Sequence, residues 1–178
     1  MSAVVVYESM FGCTRQLAEA VGEGIAALGA RVDVLEVGEA SARDDVVLAA
    51  EMLVVGAPTH MRGLSTPRTR ALAKARGASA SAELGVHEWL DALPGLRARR
   101  TAVFETRNNG RFAGSAGQRI EKMLRKSGAD VVVPLQSFGV DADDDGRASV
   151  TPAQVDLAAA WGRSLAQELR PDPMRAVL

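Results

Sequence analysis

The sequence predicts an α/β fold, a three-layer sandwich with a five-stranded parallel sheet and helices on both faces. Three observations carry that expectation. Short apolar runs alternate with helical stripes about five times along the chain, an order that favours parallel strands joined by crossover helices. The first run, Ala3 to Tyr7 ("AVVVY"), is apolar throughout, as in a strand buried on both faces. The loops after the first, third and fourth runs are the richest in Gly, Ser, Thr and Asn, and such sheets bind ligands beyond the carboxyl ends of their strands.

Each element follows from its own residues. From Thr14 to about Leu28, the residues Leu17, Val21, Ile25 and Leu28 form one helical stripe, closed by Gly29 as C-cap. Arg31 to Val37 alternates polar and apolar, which suits a strand nearer a sheet edge. Asp44 to Glu51 is a short helix, and Met52 to Val55 is the third strand, ending at Gly56. Thr66 as N-cap and Pro67 as first helical residue open a helix to about Arg76. Residues 77–85 are small and polar and read as a flexible surface segment. His87 to Leu93 is a helical piece, and Thr101 to Glu105 is the fourth strand. Ser115 with Gln118 is a capping box for a helix to about Ser127. Val131 to Val140 is the fifth strand, irregular at Pro134. After an acidic turn, Thr151, Pro152 and Gln154 open the last helix, to about Leu169. Residues 1–170 form one domain and 171–178 a tail.

Composition removes several function classes. A formal net charge of −1 gives no electrostatic reason to expect nucleic acid or an anionic membrane. A single cysteine allows no intrachain disulfide and no Cys-based zinc site. With only His60 and His87, far apart in the chain, no metal centre is expected. Asp141, Asp143, Asp145 and Gly146 match the first half of a calcium loop, but Pro152 stands where that loop needs Glu, so the segment reads as an acidic turn. No apolar run approaches the roughly 20 residues of a membrane span, and the N-terminus enters a strand with no signal-like region. The expectation is a soluble cytoplasmic protein, a monomer or homodimer.

The loop "ESMFGCT", Glu8 to Thr14, separates a buried strand from a helix N-terminus. Unpaired N–H groups and partial positive charge there suit a phosphate. Gly12 lets backbone approach a ligand, and Ser9 and Thr14 add hydroxyls. The loop is neither a Walker loop nor a Gly-x-Gly-x-x-Gly fingerprint. On these residues alone, an ordinary strand–helix turn with a threonine cap stands as an equal reading.

The stretch "VVYESMFGCTRQLAEAVGEGI" resembles the opening of the flavodoxin family, whose Ser/Thr-x-Thr-Gly-x-Thr loop holds the phosphate of FMN. The likeness is to actinobacterial-type flavodoxin-domain proteins. These continue with Gly-x-Pro-Thr-His, here Gly56 to His60, with Thr106-Arg107 after the fourth strand, and with Gly114-Ser115-Ala116 beyond it. The resemblance implies a flavodoxin-like fold and FMN as cofactor. It implies that Ser9 and Thr14, with the loop residues Met10, Phe11, Gly12 and Cys13, hold the phosphate. Pro58, Thr59, His60 and Met61, with Arg62 and Gly63, would line the ring and ribityl chain. Thr106, Arg107, Asn108, Asn109, Gly110 and Phe112 would form the second wall, with Asn amides suited to the pyrimidine edge. Gly63 or Gly110 would supply the peptide that reorients near the flavin N5.

The chain departs from the family in places. Phe11 replaces a threonine and removes one hydroxyl. The Trp and Tyr that usually sandwich the ring are absent, leaving His60, Met61 and Phe112. Electron-carrier flavodoxins are strongly acidic, and this chain is near neutral. Before the last helix "DADDDGRASVTPAQ" replaces the relatives' Gly-Pro-Leu and Gly-Glu.

Single residues carry further expectations. Cys13, at a helix N-terminus where thiols become more acidic, reads as a small residue whose N–H matters rather than a nucleophile. His60 reads as a wall of the site rather than a proton relay, and His87 as a surface or core-edge residue. Arg62, Arg68 and Arg70 read as a solvated helix face ahead of a second anion site. Arg107 and Arg111 flank the site, either as rim charges or as cations toward a reduced flavin. Trp161 and Leu165 belong to the core. No general acid or base is expected. The leading functional expectation is electron transfer, one or two electrons passing from a reductase to a redox partner protein or a small-molecule acceptor. The alternatives are an FMN-dependent NAD(P)H:quinone-type oxidoreductase and a degenerate module that binds no flavin.

Overall fold

A computed structural model describes residues 1–60, 63–78, 83–108, 114–142 and 148–170. Its main sheet runs in the order β2 (Arg31–Glu36), β1 (Ser2–Tyr7), β3 (Met52–Pro58), β4 (Arg100–Arg107), with β5 (Asp130–Val131) and β6 (Gln136–Gly139) sharing the fifth position beside β4. Every pairing in it is parallel. Pro134 lies where the fifth strand breaks, and proline has no N–H for a ladder. The edge position expected for the second strand is met by β2.

Period-2 alternation sends side chains to two cores. Val4 and Val6 of β1, Leu53 and Val55 of β3 and Val103 of β4 face one side. There they pack against helices α2 (Val37–Ala40), α3 (Asp44–Ala49), α5 (Val86–Ala92) and α6 (Ala116–Lys126). Ala3, Val5, Met52, Val54, Ala102 and Phe104 face the other side, under α1 (Cys13–Ala26) and α7 (Pro152–Glu168). With both faces covered, the continuous apolar run of the first strand is required. Phe104, Phe138 and Trp161 meet edge-to-face, with centroids 5.9–6.2 Å apart. Trp161 and Leu165 are thus in the core as expected.

Caps place the helix starts. Thr66 and Thr69 cap α4 (Pro67–Ala75) reciprocally. Ser115 accepts from the Gln118 N–H, and Thr151 from the Gln154 N–H. Some boundaries differ from the sequence reading. Val37 opens α2 rather than closing β2, because Val37 and Ala40 turn into the core beneath the strand. β3 and β4 run past Gly56 and Glu105, since Ala57 and Pro58 pair with Glu105 and Thr106. A small antiparallel pair, β7 (Asp141–Ala142) with β8 (Ala148–Ser149), was not expected. The calcium-like residues Asp143, Asp145 and Gly146, and the tail 171–178, lie outside the described residues. No helix among the described residues is long and apolar enough to cross a membrane.

The first and last helices cross in backbone contact. A Cβ at Gly24 would overlap the Ala159 carbonyl oxygen, and one at Gly162 the Val21 carbonyl oxygen. Gly162→Ala is therefore expected to destabilise the protein by about 1–3 kcal/mol, outweighing the roughly 1 kcal/mol that alanine adds in a helix. Gly38→Ala, where no atom lies within 4 Å, should show no loss; urea denaturation of both variants is the check.

Candidate functional site

The parallel ladder brings the carboxyl ends of β1, β3, β4 and β6 to one edge of the sheet. The chain leaves β1 toward β2 on one side and returns to β3 on the other, and such a reversal is where open parallel sheets bind ligands. The loops are tied to one another just past the strands. The Glu8 N–H donates to the Gly56 carbonyl at 3.0 Å, and the Thr59 N–H to the Thr106 carbonyl at 2.8 Å. The Thr14 and Thr106 hydroxyls meet at 2.9 Å, joining the start of α1 to the end of β4.

Two carboxylates frame this edge, and neither stood out in the sequence. Glu105, on β4, is 0% exposed. Its Oε2 accepts from the Thr59 hydroxyl at 3.0 Å, the Ser115 hydroxyl at 2.8 Å and the Gly117 N–H at 2.9 Å. Its Oε1 accepts from the Ser137 hydroxyl at 2.8 Å, with Arg107 Nη1 at 3.8 Å. A buried carboxylate is tolerated when its lone pairs are filled in this way. The Thr59 hydroxyl in turn accepts from the Ala116 N–H at 3.0 Å. The first turn of α6 is thereby sealed by side chains of this chain, with Gln118 held by Ser115.

The N-terminus of α1 is the reverse case. Its N-cap, Gly12, has φ 92° and no side-chain cap, and the first turn holds no acidic residue. The ladder begins with the Gln16 N–H donating to the Gly12 carbonyl, so the N–H groups of residues 13–15 lie ahead of it. A left-handed φ is open to glycine at little cost. A Cβ at Gly12 would meet nothing within 4 Å, which leaves free space over the turn. Beside it the Ser9 hydroxyl is buried and has no partner. An uncapped positive helix end with an orphaned hydroxyl suits a bound anion.

Glu8, 1% exposed, closes the other side of this loop. Its Oε2 accepts from the Val86 N–H at 2.9 Å, and the Ser65 hydroxyl lies near the carboxyl. Oε1 has no partner. Burial raises the Glu8 pKa, and the Ser65 hydroxyl, the Val86 hydrogen bond and the charge of Arg70 only partly oppose that. Arg70, 4% exposed, donates to Ser65 Oγ at 2.9 Å and to Glu88 Oε1 at 2.9 Å. Burial would raise Glu88 too, but its hydrogen bonds and the Arg70 charge outweigh it and lower its pKa. The expectation that Arg70 belongs to a solvated face is thus corrected. Arg68 is exposed, as expected.

The remaining candidates fall around the same edge. Met10 is buried against Ala73 and Ala78, so its side chain packs beneath the loop. Phe11 is 48% exposed. Cys13 is half-buried, and burial pushes its thiol pKa up, the reverse of what its helix position suggested. Pro58 and Thr59 are half-buried at the end of β3. His60 and Gly63 exchange two backbone hydrogen bonds, at 2.8 and 2.9 Å, as an isolated antiparallel bridge that engages both polar groups of Gly63. His60 Nε2 is buried without a partner, and burial lowers its pKa, so the ring is neutral near pH 7. Thr106 is buried, Arg107 half-buried and Asn108 exposed. His87 is exposed and faces Asp91 at 3.7 Å. Met61, Arg62, Asn109, Gly110, Arg111 and Phe112 lie outside the described residues.

Comparison with known proteins agrees with this geometry. The family model for flavodoxin matches residues 5–152. Among solved structures, an archaeal flavodoxin aligns at 20% identity with TM-score 0.67, over 95% of this chain and 99% of its own. Oxidised flavodoxin 1 from Bacillus cereus aligns at 17% and 0.68, over 96% and 100%. Two-electron reduced flavodoxin from Megasphaera elsdenii aligns at 17% and 0.64, over 93% and 98%. None of the curated proteins matches the chain.

The two carboxylates give opposite expectations. Glu105→Ala takes the acceptor from four donors, of which the Gly117 N–H is buried, and should cost about 3–5 kcal/mol in urea denaturation. Glu105→Gln keeps the shape and should cost less. Glu8 is held above its ordinary 4.5, so folding favours its protonated form. That contribution is complete below 4.5 and is lost as pH rises through the raised value. Wild-type stability should decline over that window, while Glu8→Gln, which cannot ionise, should remove the Glu8 part of the decline. Urea denaturation from about pH 4 to about pH 8 reads the difference. The lowered pKa of Glu88 acts in a separate window, below 4.5.

Proposed function

The chain belongs to the flavodoxin family, and from that premise we propose that it binds FMN at the edge where β1, β3 and β4 end, and moves electrons between a reductase and an acceptor. The observation that carries this reading is the uncapped α1 N-terminus, with Gly12 in a left-handed turn and the Ser9 hydroxyl buried without a partner.

The residues fit a phosphate. The N–H groups at Phe11, Gly12 and Cys13 would bind it together with Ser9, and the helix end would favour its charge. Thr14 holds its hydroxyl toward Thr106 and steadies the turn against β4. A hydroxyl that makes one such bond keeps capacity for another. Pro58, Thr59 and His60 would present the third-strand loop to the ring, with Thr59 fixed by Glu105 and Ala116. Neutral His60 offers one buried nitrogen as a hydrogen-bonding wall. Arg107 and Asn108 would stand on the other side, at the end of β4. When bound, FMN supplies the one- or two-electron chemistry, and the protein supplies position and electrostatics.

A second reading, a flavin-dependent reductase of small acceptors, is supported by the placement of the aromatic residues. Among the described residues all of them except Phe11 are buried or packed in the core, so no ring among them stands over the site to screen an acceptor. Rapid oxidation of NADPH with a quinone and no added reductase would favour it over a carrier.

Titration with FMN should quench flavin fluorescence. Ser9→Ala should weaken binding by about tenfold, the worth of one charge-assisted hydrogen bond. Riboflavin, which lacks the phosphate, should bind more weakly than FMN to the wild type and show little response to Ser9→Ala. Unquenched FMN would defeat the flavin reading.

A further inference from the structure

Helix α4 lies beside the first loop, because Met10 packs on Ala73 and Ala78. Its inner side carries Arg70 and Ala73, both buried. Its outer side carries Arg68, Leu72 and, at the C-cap, Arg76, spaced four residues apart along one line of the helix. Leu72 is 51% exposed, and Lys74 is exposed on the flank. Phe11, the neighbour of Met10 in the chain, is 48% exposed. The two most exposed large apolar side chains among the described residues therefore sit on adjoining segments, the first loop and α4.

The charge on this face has one sign. Residues 63–78 contain four basic residues and none of the 22 acidic ones of the chain. Arg70 is matched by Glu88 at 2.9 Å. Arg68, Lys74 and Arg76 make no ion pair among the described residues. On α1, Arg15 is paired with Glu19 at 2.8 Å, and the one further charge of that helix, Glu23, lies eight residues beyond Arg15 toward its C-terminus. An apolar centre ringed by unmatched cations is complementary to carboxylates around an apolar contact.

We propose that the outer face of α4, with Phe11 at its rim, is the docking surface for an acidic partner protein. The surface adjoins the uncapped end of α1, so a docked partner stands next to the proposed cofactor site. The inference rests on the flavin reading only for what the partner does there, since the charge and apolar pattern is independent of any cofactor. Lysine and arginine at such a rim act mainly on the rate of encounter, and salt weakens them.

The test uses an acidic [2Fe–2S] ferredoxin as probe and basic cytochrome c as control. Nitrogen-15-labelled protein is titrated with the oxidised probe, with or without FMN. Shifts are expected at the amides of α4 and the first loop, and Arg68→Glu with Lys74→Glu and Arg76→Glu should abolish them. In stopped flow with the FMN-loaded protein, transfer from the reduced probe should slow about tenfold between about 20 mM and about 500 mM salt. The triple variant should start at the slow rate and lose the salt dependence, while binding FMN as the wild type does. Leu72→Ser should slow transfer at high salt. Shifts confined to other surfaces, no shifts at all, or an unaltered triple variant would overturn the proposal. So would shifts produced on α4 by a single-stranded oligonucleotide or anionic vesicles but not by the acidic protein. Failure of FMN to bind, with α4 shifts intact, would sink the flavin reading alone.

Discussion

The buried carboxylate of Glu105 is the constraint from which the arrangement of the strand ends follows. A charge at 0% exposure is tolerated only where donors surround it. Those donors come from four separate segments: Thr59 after β3, Ser115 and Gly117 at α6, Ser137 in β6, and more distantly Arg107 on β4 itself. One side chain thereby fixes where a loop, a helix start and a strand stand relative to β4. It also explains the difference between the two helix N-termini at this edge. α6 meets an anion that belongs to the protein. α1 meets none among the described residues, which is why it is the end proposed for an anion from outside.

The first loop is held from beneath rather than from within. Glu8 anchors it to α5 through the Val86 N–H, Met10 seats it on α4, and Thr14 ties it to β4 through Thr106. The residues between these anchors, Phe11 to Cys13, make no described hydrogen bond through their side chains. The turn is thus firm at both ends and exposed in the middle, and that division of labour lets a short loop present backbone N–H groups without collapsing onto them.

Much of this architecture was legible in the sequence, because hydrophobic periodicity and caps report local structure. The run at Ala3–Tyr7, the stripe from Leu17 to Ile25 and the caps at Thr66, Ser115 and Thr151 all stand where the sequence put them. Glu105 and Glu8 were not legible, since a charged residue in a strand or just beyond it reads as solvent-facing unless its donors are known, and those donors lie up to 78 residues away. Arg70 was misread for the same reason, its partner Glu88 being on another helix. The Thr14–Thr106 contact spans 92 residues, and only the parallel register brings the two together. The short helix at Val37 escaped because four residues carry too little period to read. The roles of the loop residues come from family likeness, while the reason for their positions lies in the bonds that tie the strand ends together.

The crossing of α1 and α7 at Gly24 and Gly162 has a consequence for the order of assembly. One face of α1 is completed only by the last helix of the domain. On a ribosome, the apolar side of α1 emerges well before its partner α7 is made. Contacts so distant in the chain slow folding, because a long loop closes before they form. The first-loop turn rides on that same helix, so phosphate bound there, as proposed, would reward the docking of α1 against α7 rather than an earlier step.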